Sequence, residues 1–194
     1  MSKYLLTILI VLAACCEASA LVLVDGGKSD YDVVMRADAP KATKFAVSEL
    51  LTYMKKTAGI EMAAVHGKAP GRKAIYVGAH PELPKTADFD QQSYSGQERF
   101  RIAELDGGDL SIMGADCDFD PVSRKSADFG LLFGVYEFIE RFLGVRWYAP
   151  GDFGECYESL DKVEVTGCLS IKSQITMKDH TGHISGMNSP DGTR

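Results

Sequence analysis

Two periodicities run through this sequence. Short stretches alternate apolar and polar residues in the manner of strands, while two longer ones repeat apolar residues every three or four positions in the manner of helices. Residues 21–24 and 31–36 read as strands joined by a tight reversal, Asp25-Gly26-Gly27-Lys28-Ser29-Asp30, rich in turn-forming residue types. From residue 41 to 58, Ala42, Phe45, Ala46, Leu50, Tyr53, Met54 and Ala58 form an apolar stripe, with Lys41, Lys44, Ser48, Thr52, Lys55 and Lys56 largely opposite. The spacing predicts an amphipathic helix, entered at Asp38 and Pro40 and stopped by Gly59.

Strand patterns resume at 60–65 and 74–78, and a polar, proline-containing stretch from 79 to 96 reads as a long surface loop. Phe100 and Ile102, then Leu110 and Ile112, alternate with neighbours on the other face, and Asp106-Gly107-Gly108-Asp109 between them predicts a hairpin. Residues 126–143 form a second helical pattern that is apolar on more than one side, so it should be buried against a sheet and a further surface. Gly130 and Gly134, four apart on it, would admit a neighbouring backbone. A short strand at 145–148 and a last hairpin, 162–166 with 168–175, complete the pattern, after which the tail is polar. The element order predicts an α+β two-layer sandwich: a mixed β-sheet with two main helices on one face.

The N-terminus follows a different rule. Lys3 and an apolar run from Tyr4 to Ala14 have the form of a signal peptide, too short to span a bilayer. Ala18-Ser19-Ala20 fits ordinary cleavage and Leu12-Ala13-Ala14-Cys15 fits a lipoprotein box. Cleavage after Ala20 is favoured, because the first strand begins at Leu21 and lipidation at Cys15 would leave almost no tether. The expected organisation is a leader, 1–20, a domain, 21–176, and a polar tail, 177–194, that reads as the start of a following segment. The expected location is periplasmic or secreted, with a lipoprotein anchored at Cys15 as the alternative.

Composition narrows the function. At 194 residues the chain is shorter than the roughly 250 of a (β/α)8 barrel. Its 45% hydrophobic and 25% charged residues suit a globular core. A net charge of −6 and pI near 5.2 argue against a nucleic-acid partner. Of five cysteines, Cys117, Cys156 and Cys168 lie outside the leader; a Cys156–Cys168 bridge and unpaired thiols both fit, and no zinc spacing is present.

The candidate chemistry is sparse. Asp116, Asp118 and Asp120 open like a calcium loop, but Pro121 and Ala127 stand where that loop needs glycine and glutamate, so a solvated acidic loop is expected. His180 and His183 have no third ligand nearby, and neither a metal nor a cofactor is expected. Glu137 and Glu140 point the same way from one helix and cannot flank a scissile bond. Arg141, four residues after Glu137, is a natural surface partner for it. Nucleophile-elbow, zincin, phosphate-loop and dinucleotide motifs are all missing, so no catalytic residue is assigned. What remains is Arg146-Trp147-Tyr148, holding the only tryptophan between a helix end and Pro150-Gly151. Aromatic faces can stack on sugar rings and arginine can bind a uronate carboxylate, whereas packing at a helix–strand junction is the competing explanation.

At these residues the chain resembles a known family. Gly27-Lys28-Ser29-x-Tyr31-x-Val33-Val34, Glu49-Leu50-x-x-Tyr53, Thr57-x-Gly59, Ile75-Tyr76-Val77-Gly78, and the run from Gly130 through Gly134-Val135-Tyr136 and Leu143-Gly144-Val145-Arg146-Trp147-Tyr148 to Pro150-Gly151 look like the N-terminal domain of bacterial α-glucuronidases of glycoside hydrolase family 67 and related secreted proteins. The resemblance spans about residues 21–166. It implies the fold of the second domain of β-hexosaminidases and a place beside a barrel that carries the catalytic carboxylates. The expected function is therefore that of an exported, non-catalytic module linked to glucuronoxylan breakdown. The alternatives are a stand-alone carbohydrate-binding protein and a surface interaction protein. The expected partners are an acidic oligosaccharide or polysaccharide, or a catalytic barrel or partner protein, with Arg146, Trp147 and Tyr148 as substrate-contact candidates.

Overall fold

A computed structural model of the chain describes residues 20–94, 99–118 and 129–166. The leader, Asp120, Cys168, the expected strand at 168–175, His180, His183 and the polar tail lie outside them. Among the described residues the order is β1 (Leu21–Asp25), β2 (Tyr31–Val34), α1 (Lys41–Ala58), β3 (Ala64–Val65), β4 (Lys73–Val77), β5 (Phe100–Glu104), β6 (Leu110–Gly114), α2 (Gly130–Phe142), β7 (Arg146–Trp147), β8 (Glu155–Cys156) and β9 (Lys162–Val165).

The central sheet runs β3-β2-β4-β6-β5; β3, β2, β4 and β6 are parallel and β5 is antiparallel to β6. The two helices pack on one face, as their apolar stripes require. Val33, Ile75, Val77, Ile102, Leu110 and Ile112 meet Leu50, Met54, Leu131, Val135 and Phe138 there, all at most 1% exposed. The alternate residues of the same strands, Val34, Ala74, Tyr76 and Met113, form a smaller cluster with Leu83 and Tyr94. These last two come from the 79–96 loop, which contains two 3-10 turns, Ala87–Phe89 and Gln91–Tyr94. The fold is an α+β sandwich with a mixed sheet and two main helices.

The expected hairpin of β5 and β6 is present, with Glu104 opposite Leu110 and Phe100 opposite Gly114. Helix α1 spans the expected residues; all six of its polar-stripe residues are exposed, and Gly59 leaves it at φ 65° with its N–H on the Lys55 carbonyl. Its entry differs from expectation. Pro40 holds the cap position without a side-chain bond, Asp38 pairs with Arg36, and the Lys41 N–H is taken by the distant Asp118 carboxylate at 3.2 Å.

The glycines of α2 do what their spacing suggests. A Cβ on Gly130 would collide with the Arg99 carbonyl oxygen and lie 2.9 Å from the Ala115 nitrogen; one on Gly134 would lie 2.9 Å from the Phe100 Cβ. Gly114 on β6 is equally bare, facing the Gly130–Leu131 backbone. The Leu131 N–H bonds the Ala115 carbonyl at 2.8 Å, so the start of α2 lies directly on the sheet. The second surface that this helix needs is supplied by α1.

One expectation about strand arrangement and one about strand length are corrected. The reversal after β1 is present, with Asp25 and Lys28 exchanging both backbone bonds, but β1 does not pair with β2. It pairs antiparallel with β9 in a separate two-stranded ribbon, placing Leu21, Leu23, Val163 and Val165 in the core. Strand β2 instead lies inside the sheet between two parallel partners, where both faces are buried. In the stretch 60–65 only Ala64–Val65 is strand, because the preceding residues run off the end of α1, with Ile60 and Met62 resting against the core.

Candidate ligand-binding site

Two depressions lie near polar side chains. The smaller is a notch of about 40 Å³ at the carboxyl ends of β2, β4 and β6, where ligands of parallel sheets commonly sit. It is nearly filled. Thr43, at the start of α1, donates its hydroxyl to the Asp116 carboxylate, which also accepts the Cys117 N–H at 2.8 Å. Burial pushes the Asp116 carboxyl above the usual carboxylate range, against the opposing pull of those hydrogen bonds. Gln91 closes the side by donating to the Gly114 carbonyl at 2.8 Å. Two of the three aspartates that resemble a calcium loop thus hold the start of α1. Among the described residues no group of three His, Cys, Asp or Glu is placed to bind a metal.

The larger depression is an open cleft of about 500 Å³ between the helices. Helix α1 presents Glu49 and Tyr53, one turn apart; α2 presents Phe133, Tyr136, Glu137 and Glu140. Phe100 forms part of the floor and Trp147, from β7, closes one end. The three large aromatic groups form a unit: Trp147 lies edge-to-face with Tyr53 at 5.3 Å and with Tyr136 at 5.4 Å. The Trp147 indole N–H donates to the Tyr53 hydroxyl at 2.9 Å, which donates to Glu155 at 2.7 Å; Glu155 is also paired with Lys56 at 2.6 Å. Lys56 and Tyr53 hold the Glu155 carboxyl below its usual range. Burial and Glu155 raise the Tyr53 phenol, and burial with the facing Glu49 raises that of Tyr136, whose hydroxyl donates to Glu49 at 3.0 Å.

The structure separates the three candidate contact residues. Trp147 alone lines the cleft. Arg146 turns to the end of α2, where its guanidinium donates to the Glu140 carbonyl at 2.7 Å, a helix-end acceptor, and to the adjacent Val145 carbonyl at 2.8 Å. Tyr148 is 79% exposed at the base of the turn between β7 and β8, which also carries Phe153, 86% exposed. Glu137 and Glu140 lie on one wall, as their spacing implies, and Arg141 stands 3.7 Å from Glu137. Cys156 is an exposed thiol on β8. Tyr53, Tyr136 and Glu155 were not singled out by motif chemistry. The local signal available was Glu49 and Tyr53 at four-residue spacing on the edge of the apolar stripe.

No protein-family profile matches this sequence, and no curated protein does. Solved structures do match in shape. One is a family GH115 4-O-methyl-α-glucuronidase with specificity for decorated arabinogalactans: TM-score 0.51, 17% identity, covering 76% of this chain and 17% of that one. This chain shares its fold with part of a glycoside hydrolase. Looser superpositions are found with a family GH138 enzyme targeting pectin rhamnogalacturonan II (TM-score 0.38, 21% identity, 57% of this chain and 13% of that one) and with a family GH84 protein (0.39, 10%, 78% and 22%). At 17% identity the likeness to the first of these is one of fold alone, and the chain spans less than a quarter of each neighbour's length. No helix among the described residues is long and apolar enough to cross a membrane.

Proposed function

We propose that this chain is an exported, non-catalytic module of an α-glucuronidase-like glycoside hydrolase, working on glucuronoxylan or a related polysaccharide beside a catalytic barrel. The observation that carries the reading is the fold shared over 76% of this chain with a 17% portion of a 4-O-methyl-α-glucuronidase. Within the open cleft Glu137 and Glu140 project from one helix and do not bracket a glycosidic bond, and Glu49 on the facing helix accepts the Tyr136 hydroxyl. The test is release of uronic acid from aldouronic oligosaccharides by the purified chain. Background rates are expected, and reproducible turnover would overturn the reading. Export is tested by cell fractionation, with Cys15→Ser separating a lipid-anchored form from a cleaved soluble one.

A second reading, a stand-alone carbohydrate-binding protein, is favoured by the exposed rings of Tyr148 and Phe153. It would lose most of its affinity in Tyr148→Ala with Phe153→Ala, whereas the module reading requires no glycan affinity at these two rings.

A further inference from the structure

The charge of the α1–α2 cleft is of one sign. Its walls carry the carboxylates of Glu49, Glu137 and Glu140, and among the described residues no lysine or arginine lines it. Arg141 stands beside Glu137 on the rim, and Lys56 is held by Glu155 behind Tyr53. Arg146, the residue suited to a uronate, faces the end of α2. A uronate entering the cleft would meet three like charges, with no guanidinium to receive it. The remaining lining is aromatic, from Tyr53, Tyr136, Trp147 and Phe133, which suits the apolar face of a sugar ring and attracts a cation. Its volume falls within the range of about 300–1,000 Å³ common for small-ligand sites.

We propose that this cleft binds a saccharide unit carrying a free amine, its ring against Trp147 and Tyr136 and its ammonium toward Glu137 and Glu140. The inference rests on the glycan-linked reading above and names the sugar class that the module itself contacts. That class is distinct from the uronate on which the associated barrel acts.

The test is calorimetric titration of the whole chain with three trimers of similar size: glucosamine trimer, its fully N-acetylated counterpart and trigalacturonate. The amine-bearing trimer is expected to bind about tenfold or more tighter than the acetylated one, and trigalacturonate to give no heat. The Glu137→Gln, Glu140→Gln double variant, its fold checked by circular dichroism, is expected to lose the preference for the amine. Glu164→Gln on β9, a similar loss of charge away from the cleft, should retain it. Equal binding of the first two trimers, tighter binding of trigalacturonate, no binding of any trimer, an unchanged preference in the double variant, or binding of a lysine peptide in place of the glucosamine trimer would overturn the proposal. Comparing trimers on the unmodified chain keeps the test independent of variant folding. Turnover of aldouronic oligosaccharides, the failure of the module reading, is a separate measurement.

Discussion

The two ends of this sandwich handle their carboxylates in opposite ways. At the carboxyl ends of the parallel strands, Asp116 is desolvated, raised in pKa and plugged by Thr43, leaving a notch of about 40 Å³. Behind the cleft between the helices, Glu155 on β8 is lowered by Lys56 and Tyr53, its pairing steadies an aromatic wall, and about 500 Å³ stays open. The position where parallel sheets commonly hold ligands is thus used for structure here, and the space for a ligand lies on the outer side of the helices. A shared architecture does not fix where binding occurs; the side chains that fill or spare each crevice do.

Changes at the closed end should be the most damaging. Gly114→Ala places a Cβ against the Gly130–Leu131 backbone, which cannot move without lifting α2 from the sheet. The expected loss is about 3 kcal/mol or more, read as a fall in the urea midpoint. A midpoint near wild type would show that the helix start is not in close contact. At the open end, Trp147→Ala removes a half-buried ring and the donor to Tyr53, for an expected loss of about 2–3 kcal/mol. A negligible loss would make Trp147 a surface platform in place of a wall of the cleft.

Thr43→Val deletes the hydroxyl that meets Asp116, at a cost of about 1–3 kcal/mol. The pH dependence of the two ends sharpens the contrast. A raised folded-state pKa means that the Asp116 contribution is complete below the usual carboxylate range and is lost as pH rises through the folded value. A lowered one means that the Glu155 contribution is complete above that range and is lost as pH falls through the folded value. Asp116→Asn should therefore remove a loss of stability on the way up from acid, and Glu155→Gln a loss on the way down. Urea midpoints measured across pH decide this, and changes of slope relative to wild type that have the same sign in both variants would contradict the contrast. The smallest effect on stability, within about 0.5 kcal/mol, is expected for Glu137→Gln with Glu140→Gln, whose carboxylates line a cleft open to water.

Much of the helix-side fold is legible in the sequence because its contacts repeat. The stripe from Ala42 to Ala58, the alternation of Phe100 and Ile102 with Leu110 and Ile112, and the small residues Gly130 and Gly134 each state a burial requirement in a local pattern. The pairing of β1 with β9 is not legible, since Leu21–Val24 and residues 162–165 alternate equally well with any edge and lie about 140 positions apart. The site was read only in part for the same reason. Trp147 stood out as the sole tryptophan, but Tyr53 and Tyr136 come from two distant helices and Glu155 from the strand paired with its own, each side chain following an ordinary helical or strand pattern. The neighbours Arg146 and Tyr148 were grouped with it by adjacency, which a two-residue strand undoes by sending successive side chains in different directions.

The central claim, that ligand meets the helical cleft and not the strand ends, is tested most directly by the amide and indole NMR spectrum of the chain during titration with glucosamine trimer. Because Trp147 is the only tryptophan, its indole N–H gives a single assigned probe of the cleft. That resonance is expected to shift and saturate together with the amides of Glu137 and Glu140, while those of Thr43 and Asp116 stay in place. Shifts at Thr43 and Asp116 with an unmoved indole would contradict it.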